Sequence, residues 1–495
     1  MNHTNHLCLL CWMIDGSLAL NPSGGQIFGD NQFTMKLAII GGGSVRTPRL
    51  IPSLVRRAER LGLEELWLMD SDSDKLRLIG GLCQVIADQL GAQFKIVFSD
   101  DARQTLTDTS HLITSIRPGK ERGRAVDEHI AFEHGVLGQE TTGAAGFAMA
   151  MRSLPAIMEY KALLDEVGAP NAWLYNFTNP AGLVAQGLHD AGYDRVIGIC
   201  DSANGAQHAA SRYLGVPLDR TRHTVYGLNH LSWTRSVRVL DEDETGNGTD
   251  AGEEVLPSLL GDENFIASTH MQIFDGGLRQ WQRAFMNEYL HYFYHRDEAL
   301  KSLLAKPQTR GEEVWKLTEN LIEELTAAPT KEEAVDTWRR IMGQRSASYF
   351  AHARNDKERP RMEPIGEDDE GYAGVALGCI EAIQQNIPLY TGLNVPNNGT
   401  IHGLRDDDVV EVSCWIDANG VRPIPVTDIQ EDQLMLMRDV KQYERLASRA
   451  IRERSRELAV QALTVHPLIG SYPLAGKLVD AFLNAHRDIT GEWGA

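Results

Sequence analysis

A glycine-rich turn near the start of the chain has the residue types and spacing of a phosphate-binding loop. Gly41-Gly42-Gly43-Ser44-Val45-Arg46 follows a short apolar run at residues 36–40 and precedes a helix-like segment at residues 48–61. Gly41 permits a tight turn, and Gly43 lets the backbone approach a pyrophosphate at the N-terminus of the helix. Arg46 replaces the third glycine of the dinucleotide fingerprint, so the turn alone is an imperfect match.

An acidic residue at the end of the next apolar run strengthens the prediction of a nucleotide site. The run at residues 65–69 is followed directly by Asp70. A carboxylate at this position accepts hydrogen bonds from ribose hydroxyls and repels a 2′-phosphate, which favours NAD over NADP. We expect NAD to be bound by five residues that follow the first two predicted strands: Gly41, Gly43, Ser44, Arg46 and Asp70.

Four further segments combine polar side chains with glycine in a way that packing does not require. They lie at residues 138–143, 176–182, 198–201 and 227–231, and the last three follow or end predicted strands. Open α/β sheets bind their ligands at the carboxyl ends of the strands. We therefore expect these segments to form one site beside the nucleotide.

The elements that must position these residues are predicted from alternating apolar runs and helix-length segments. Short apolar runs lie at residues 36–40, 65–69, 94–98, 111–116, 172–175 and 196–199. This alternation predicts βαβ units and a mostly parallel sheet. The fold class is therefore predicted to be α/β, with a Rossmann-type, doubly wound NAD-binding domain at residues 35–205.

The pattern changes after about Asp201. Residues 224–240 and 409–416 are predicted strands, residues 255–345 are predicted to be mostly helical, and residues 428–463 are predicted to form one long amphipathic helix. These elements predict a second, mixed α/β domain at residues 206–495. Residues 1–34 precede the first strand and are predicted to be an extension that is disordered or non-native.

Composition excludes several classes of function. The 495 residues include 48 Lys and Arg against 68 Asp and Glu, which gives a net charge of −20. Nucleic acids and anionic membranes need clustered cations, so neither is a predicted partner. Six cysteines are too few for a disulfide framework and favour a cytoplasmic location. An anionic substrate would have to be bound by a few local cations.

Taken together, these motifs resemble glycoside hydrolase family 4, the NAD- and metal-dependent glycosidases. The resemblance runs from Met35 to the C-terminus and includes the late segments at residues 394–399 and 466–468. This family is an exception to the two-carboxylate rule of most glycosidases. The resemblance implies a C-terminal domain like that of lactate and malate dehydrogenases, a glycoside substrate and a homo-oligomer.

The resemblance also implies roles for individual residues. Cys200 and His230 would bind a divalent metal, typically Mn²⁺, and leave other positions open to a sugar diol. Tyr372 would be the catalytic base, with Tyr349 as the alternative. Asp201 would protonate the leaving group. The residues implied to line the sugar are Arg117, Glu140 and Asn179.

The mechanism implied by these roles is oxidation followed by elimination. NAD would take a hydride from C3 of the sugar, and the resulting ketone acidifies the proton on C2. The tyrosine would remove this proton, the aglycone would leave C1, water would add, and NADH would return the hydride. The net reaction is hydrolysis with the cofactor unchanged.

The sequence leaves the substrate open. Many family members act on 6-phosphoglycosides and use arginines in the segment that corresponds to residues 394–399, but this chain has none there. Three classes of substrate are compatible with the sequence: a 6-phosphoglucoside, a glucoside with another C6 anion such as a sulfonate, and a neutral glycoside. The sequence also leaves open whether the α- or the β-anomer is cleaved. The alternative functions are an NAD-dependent dehydrogenase of the malate/lactate type and a non-catalytic NAD-responsive binding protein.

Overall fold

The computed structural model describes residues 35–241, 251–350, 353 and 371–494, and for residues 371 and 372 only the backbone. The predicted extension at residues 1–34 lies outside the described residues. The strands are β1 Met35–Ile40, β2 Leu63–Met69, β3 Lys95–Ser99, β4 His111–Thr114, β5 Trp173–Asn176, β6 Val196–Gly198, β7 Thr221–Leu228, β8 Leu231–Val239, β9 Glu253–Glu254, β10 Phe285–Met286, β11 Leu389–Pro396, β12 Val409–Asp417 and β13 Gly420–Pro423.

Helices connect and cover these strands. The α-helices are α1 Leu50–Leu61, α2 Ser73–Gln89, α3 Ala102–Leu106, α4 Lys120–Glu133, α5 Gly143–Val167, α6 Ala181–Asp190, α7 Gly205–Leu214, α8 Leu256–Leu260, α9 Glu263–Ser268, α10 Gly276–Gln282, α11 His291–Tyr294, α12 Arg296–Leu304, α13 Arg310–Ala327, α14 Lys331–Ala347, α15 Gly371–Gln385, α16 Glu431–Glu453, α17 Arg456–Val465, α18 Tyr472–Ala485 and α19 Arg487–Thr490. None of the helices in the described residues is long and apolar enough to cross a membrane.

Within the described residues, nine strands form one sheet in the order β13-β12-β11-β6-β5-β4-β1-β2-β3. The six strands β3-β2-β1-β4-β5-β6 are parallel and follow the order of a Rossmann fold. The β1 strand is apolar and almost completely buried, as expected of a strand covered by helices on both faces. The predicted α/β fold class with a parallel Rossmann-type sheet is therefore confirmed.

The C-terminal part of the chain extends this sheet and adds a second one. β11 pairs antiparallel with β6 through Asn394 and Gly198, and β12 and β13 continue the sheet outward. The second sheet has the order β10-β8-β7, with β9 paired to β8. The division into domains at residue 205 stays a prediction.

Two predicted elements are each split in the structure. Residues 224–240 are a hairpin rather than one strand, because Asn229 and His230 form a two-residue turn between β7 and β8. The predicted helix at residues 428–463 is two helices, α16 and α17. The break occurs at Arg454, which has a left-handed φ of 50°, and Ser455 then caps α17 by accepting a hydrogen bond from the Leu458 amide.

Candidate active site

The carboxyl edge of the parallel sheet collects the predicted site residues from separate strand ends. The glycine turn follows β1, Asp70 follows β2, Arg117 follows β4, Asn179 follows β5 and Cys200 follows β6. Two others come from loops: Glu140 precedes α5, and His230 lies in the turn after β7. The expectation that these segments meet at one edge follows from the parallel topology.

The glycine turn has the close approaches that its sequence predicts. Gly41 has a φ of 92°, and a Cβ there would lie 2.2 Å from the Ser115 carbonyl oxygen. The Gly43 amide donates to Oδ2 of Asp70 over 3.0 Å, and a Cβ on Gly43 would lie 2.8 Å from the same oxygen. Glycine is thus required at position 41, whereas a side chain at position 43 would displace the Asp70 carboxylate, which lies directly against the turn.

Cys200 and His230 face each other in the interior of the site. Cys200 Sγ lies 3.3 Å from His230 Nε2, and both residues are buried. Burial lowers the pKa of His230 to about 4, so the free imidazole is neutral near pH 7. Burial, with Asp201 and Glu411 nearby, raises the pKa of the Cys200 thiol well above its usual value. The pair therefore consists of two neutral donor groups in the metal-free protein.

Besides His230, Cys200 contacts Ser202, whose hydroxyl is oriented by Asn287. Ser202 Oγ lies 2.9 Å from Cys200 Sγ and accepts a hydrogen bond from Asn287 Nδ2 over 3.1 Å. The orientation of the Asn287 amide follows from its Oδ1, which accepts from the Tyr289 backbone amide over 3.0 Å. Since the Asn287 amide is the donor, the Ser202 hydroxyl keeps its own proton free for a hydrogen bond to the sulfur.

Hydrogen bonds to Glu411 on β12 stabilise the turn that contains His230. His230 has a φ of 62°, a left-handed conformation that is uncommon for histidine. Glu411 is completely buried and accepts hydrogen bonds from Asn229 Nδ2 over 3.2 Å and from Ser232 Oγ over 2.7 Å. Burial raises the pKa of Glu411 to about 7. This carboxyl group braces both ends of the turn.

A second part of the site is rich in arginine. Glu140 Oε2 lies 2.5 Å from Arg117 Nη1 and 2.7 Å from Arg124 Nη1. Arg124 also contacts Glu128 Oε1 through its Nε over 2.7 Å. Burial would raise the pKa of Glu140, but Arg117 and Arg124 outweigh it and hold that pKa well below its usual range. Glu140 is therefore ionised and shared between two guanidinium groups.

Arg345 and Arg46 add further positive charge here. Burial, followed by repulsion from Arg46 and Arg117, lowers the pKa of Arg345 well below its usual value. In the described part of the chain, the Arg345 side chain forms no ion pair. We call Arg46, Arg117, Arg124 and Arg345 the arginine cluster. Arg46 belongs to the glycine turn, so the cluster borders the predicted nucleotide site.

Tyr289 lies against the Cys200–His230 pair. Its ring stacks on the His230 imidazole, with 3.8 Å between centroids and 5° between planes. Its hydroxyl is 2.9 Å from that of Tyr349, which is also 3.2 Å from Glu288 Oε1. Burial, with Glu288 nearby, raises the pKa of Tyr289 well above its usual value. The side chain of Tyr372, at the start of α15, lies outside the described residues.

Asp201 and Asn179 lie where a ligand could reach them. Asp201 is exposed beside the pair, with Oδ1 3.9 Å from Cys200 Sγ. Asn179 is half-buried, precedes a cis proline bond and uses its carbonyl oxygen to accept from Ser153. No hydrogen bond among the described residues uses the Asn179 side-chain amide, so it is available to a ligand.

Comparison with known proteins adds the family. The model described as "Family 4 glycosyl hydrolase" matches residues 36–216, and that of the "Family 4 glycosyl hydrolase C-terminal domain" matches residues 225–469. The chain belongs to glycosyl hydrolase family 4. The two models together span most of the chain, so the sequence resemblance is confirmed, as is the assignment of the protein as a glycosidase.

Relatives of this family-4 chain include enzymes for both anomers. A probable 6-phospho-beta-glucosidase of Bacillus subtilis is 29% identical over 92% of this chain and 96% of its own length. A maltose-6'-phosphate glucosidase of Clostridium acetobutylicum is 25% identical over 91% and 98%. The 6-phospho-beta-glucosidase structure of Thermotoga maritima, with manganese, NAD+ and glucose-6-phosphate, is 27% identical, covers 93% of this chain and all of its own, and has a TM-score of 0.77.

The donor pair of this family-4 chain fits a divalent cation. At bond lengths typical of zinc, about 2.3 Å to sulfur and 2.1 Å to nitrogen, two ligands lie about 3.1 Å apart at a right angle and about 3.6 Å apart at the tetrahedral angle. The observed separation of Cys200 Sγ and His230 Nε2 is 3.3 Å. No group of three or more His, Cys, Asp or Glu converges anywhere in the described chain. A cation held by this pair would keep several positions open, as in a catalytic rather than a structural site.

Sequence reasoning missed several residues of this site. Tyr289 lies in a segment predicted only as helical, and Arg124 and Glu128 lie within α4. Arg345 lies in the segment that made Tyr349 the alternative base, but no role was predicted for it, and for Glu411 the sequence offered no local signal. Tyr289 could have been suspected from the polar residues Asn287 and Glu288 directly before it.

Proposed function

We propose that this family-4 protein hydrolyses 6-phosphoglucosides with the help of NAD and a divalent cation, Mn²⁺ by preference. The full-length similarity to a Thermotoga maritima enzyme whose structure holds manganese, NAD+ and glucose-6-phosphate supports this. The observation that carries the proposal is the arrangement at one sheet edge of the glycine turn, the Cys200–His230 pair and the arginine cluster. A cytoplasmic location and a homo-oligomer remain predictions.

When bound, NAD supplies the acceptor for a hydride from C3, and the divalent cation supplies a Lewis acid for the sugar oxygens. Gly41, Gly43 and Ser44 would hold the pyrophosphate, and Asp70 the ribose. Cys200 and His230 would hold the cation. The tasks left to the other side chains are binding the C6 substituent, taking the proton from C2 and giving a proton to the leaving group.

We assign the removal of the C2 proton to Tyr289, because its ring stacks on His230 and, besides burial, Cys200 is near enough to contribute to the raised pKa of its hydroxyl. Burial keeps this phenol protonated in the free protein, and a nearby cation favours its ionised form. Tyr349 would position the Tyr289 hydroxyl through their 2.9 Å hydrogen bond. Tyr372, the base that the sequence resemblance implies, is the alternative to Tyr289 for this role. Asp201, exposed beside Cys200, is placed to protonate the departing oxygen.

The arginine cluster is the proposed binding site for the C6 phosphate. Arg117 and Arg124 share Glu140, whereas Arg345 has no carboxylate partner in the described part of the chain and is repelled by its neighbours. A phosphate dianion relieves this repulsion and accepts bidentate guanidinium hydrogen bonds. These arginines would replace the arginine that the segment at residues 394–399 lacks. Asn179 and Glu140 would contact the sugar.

A substrate panel tests the function. Nitrophenyl α- and β-glucosides, each with a free hydroxyl, a 6-phosphate or a 6-sulfonate at C6, are assayed with NAD and Mn²⁺. We expect turnover of a 6-phosphoglucoside and no accumulation of NADH. Turnover of only the sulfonate would assign that anion to the arginine cluster, and net NADH formation without hydrolysis would reveal a dehydrogenase instead.

Deuterium exchange tests the mechanism and the base. Turnover in D₂O is expected to place deuterium at C2 of the product. Tyr289→Phe should abolish both exchange and hydrolysis, while Tyr349→Phe should weaken them and Tyr372→Phe should leave them unchanged. Hydrolysis without deuterium at C2 would refute the elimination. Loss of exchange in Tyr372→Phe alone would move the role of base to Tyr372.

A further inference from the structure

The loop before α5 places a glutamine, a threonine and His230 in one chain of hydrogen bonds. Gln139 Oε1 accepts from the Thr141 backbone amide over 2.7 Å. A backbone amide only donates, so the Gln139 atom at this position must be the oxygen. The same oxygen lies 2.8 Å from Thr141 Oγ1. The Thr141 hydroxyl therefore has an acceptor that cannot give it a proton in return.

The direction of this bond determines the tautomer of His230. Thr141 Oγ1 also lies 2.8 Å from His230 Nδ1. The hydroxyl has one proton, and that proton is donated to Gln139, so Thr141 can only accept from a protonated Nδ1. A neutral imidazole with its proton on Nδ1 has its lone pair on Nε2. Nε2 is the atom that faces Cys200 Sγ over 3.3 Å.

We propose that Gln139 and Thr141 are positioning residues that hold His230 in the Nδ1–H tautomer and so direct its Nε2 lone pair toward a divalent cation beside Cys200. This inference rests on the metal site of the proposed function but not on its substrate. A hydrogen bond to the non-coordinating nitrogen also fixes the orientation of the ring and raises the basicity of the ligand. Neither residue contacts the cation itself.

The loop is rigid enough to perform this task. Glu140, between the two residues, is held by Arg117 and Arg124. On the other side, α5 packs tightly on Thr141, because a Cβ on Gly146 would lie 2.7 Å from the Thr141 carbonyl oxygen. The hydroxyl of Thr141 is thus fixed relative to the helix and to the arginine cluster.

The Mn²⁺ affinity of four variants tests the proposal, measured without NAD or substrate by the electron paramagnetic resonance signal of free Mn²⁺. Thr141→Val, which keeps the shape of the side chain, should raise the Kd about 10- to 100-fold, the range found for partners of metal-bound histidines. Thr141→Ser should stay within about threefold of the wild type, since it keeps the hydroxyl. Thr142→Val is the matched control, because no described hydrogen bond uses the Thr142 hydroxyl, and its Kd should not change.

Gln139→Leu is the variant that separates this role from simple packing. Gln139 does not touch His230, yet its loss frees the Thr141 hydroxyl to donate to Nδ1, which moves the imidazole proton to Nε2. The Kd for Mn²⁺ should rise at least tenfold. In metal-free protein with ¹⁵N-labelled histidine, the His230 signals, identified by their absence in His230→Gln, should change from the Nδ1–H to the Nε2–H pattern.

Two results would overturn the proposal. The first is a Kd for Thr141→Val or Gln139→Leu equal to that of the wild type, and the second is a wild-type His230 with its proton on Nε2. Neither result depends on glycoside turnover. If the protein hydrolyses none of the panel substrates but shows these affinities, the proposed role of Gln139 and Thr141 stands and only the proposed substrate is refuted.

Discussion

Glu140 is a half-buried carboxyl group and Glu411 a completely buried one, on different sides of the candidate active site, and their pKa values shift in opposite directions. Glu140 is ionised because Arg117 and Arg124 outweigh the cost of its burial. Among the described residues, Glu411 has hydrogen-bond donors but no cationic partner, and burial raises its pKa to about 7. One side of the site is thus organised by charge and the other by directional hydrogen bonds between neutral groups.

This difference matches what each side is proposed to bind. The neutral side presents a sulfur and an imidazole nitrogen, both of which gain from an added cation. The charged side has the four guanidinium groups of the arginine cluster, two of which share Glu140, and gains from an added anion. A net charge of −20 therefore does not prevent anion binding, because the relevant field is set by the arginine cluster within a few ångströms.

Removing a proposed metal ligand, Cys200, from the neutral side of the site should have the largest effect on activity. We expect Cys200→Ser to lower kcat/KM about a thousandfold, because Lewis-acid stabilisation supplies several kcal/mol and each 1.36 kcal/mol is a factor of ten. Cys83→Ala, at a cysteine buried in α2, is the matched control and should keep its activity. Steady-state kinetics over a range of Mn²⁺ concentrations measure this, and full activity of Cys200→Ser at saturating Mn²⁺ would argue against a thiolate ligand.

On the charged side, the largest effect should be on stability. Glu140→Gln leaves Arg117 and Arg124 without their shared carboxylate. Breaking a fully buried pair costs about 3–5 kcal/mol, and because Glu140 is only half-buried we expect the free energy of unfolding to fall by about 2–3 kcal/mol. Glu133→Gln, on the exposed part of α4, is the control and should change it by less than about 0.5 kcal/mol. Urea denaturation at pH 7 gives both values. A small loss for Glu140→Gln would mean that the cluster does not depend on this carboxylate.

The two sides also differ in how far the sequence predicts them. The glycine turn, Asp70 and the strands were predicted because each depends on neighbouring residues along the chain. The segments that contain Cys200 and His230 were singled out because they end predicted strands, and the roles predicted for these two residues came from the resemblance to family 4. Arg124, Tyr289 and Arg345 were missed because α4, the segment before α11 and α14 meet only in three dimensions, so no spacing in the sequence brings them together.

The two incorrectly predicted elements share a physical cause. The hairpin between β7 and β8 and the break between α16 and α17 each depend on a residue other than glycine with a left-handed backbone, His230 and Arg454. Patterns that identify turns rely on glycine, proline and asparagine at such positions. At His230 the tight turn also brings the imidazole to the site, so the unexpected turn and the functional residue are the same feature.

The opposite shifts of the two carboxyl groups can be tested through pH. The folded pKa of Glu411, about 7, is above the unfolded value of about 4.3. Its contribution to stability is therefore fully present below about pH 4.3 and is lost as the pH rises to about 7, a change of about 4 kcal/mol. Glu411→Gln mimics the protonated form and should lose less stability than the wild type between pH 5 and pH 8, measured by urea denaturation without added metal. Equal losses in both proteins would show that Glu411 is ionised at pH 5.

Of these substitutions, Arg345→Gln should change stability least. Whether it raises or lowers the free energy of unfolding tests whether the arginine cluster is arranged for an anion. Because Arg46 and Arg117 repel this guanidinium, we expect Arg345→Gln to leave the free energy of unfolding unchanged or to raise it by about 0.5–1 kcal/mol. The same variant should raise the KM for a 6-phosphoglucoside about tenfold or more, since a hydrogen bond to a charged group is worth about 1.5–3 kcal/mol.

Arg339→Gln, at an exposed arginine of the same helix, should change neither quantity and serves as the control. A clear destabilisation by Arg345→Gln would show that this arginine supports the fold. A stable variant with an unchanged KM would remove it from the substrate site. We expect a variant that is at least as stable as the wild type and binds the anionic substrate less well. This combination would show that Arg345 costs stability in the free protein and contributes to substrate binding.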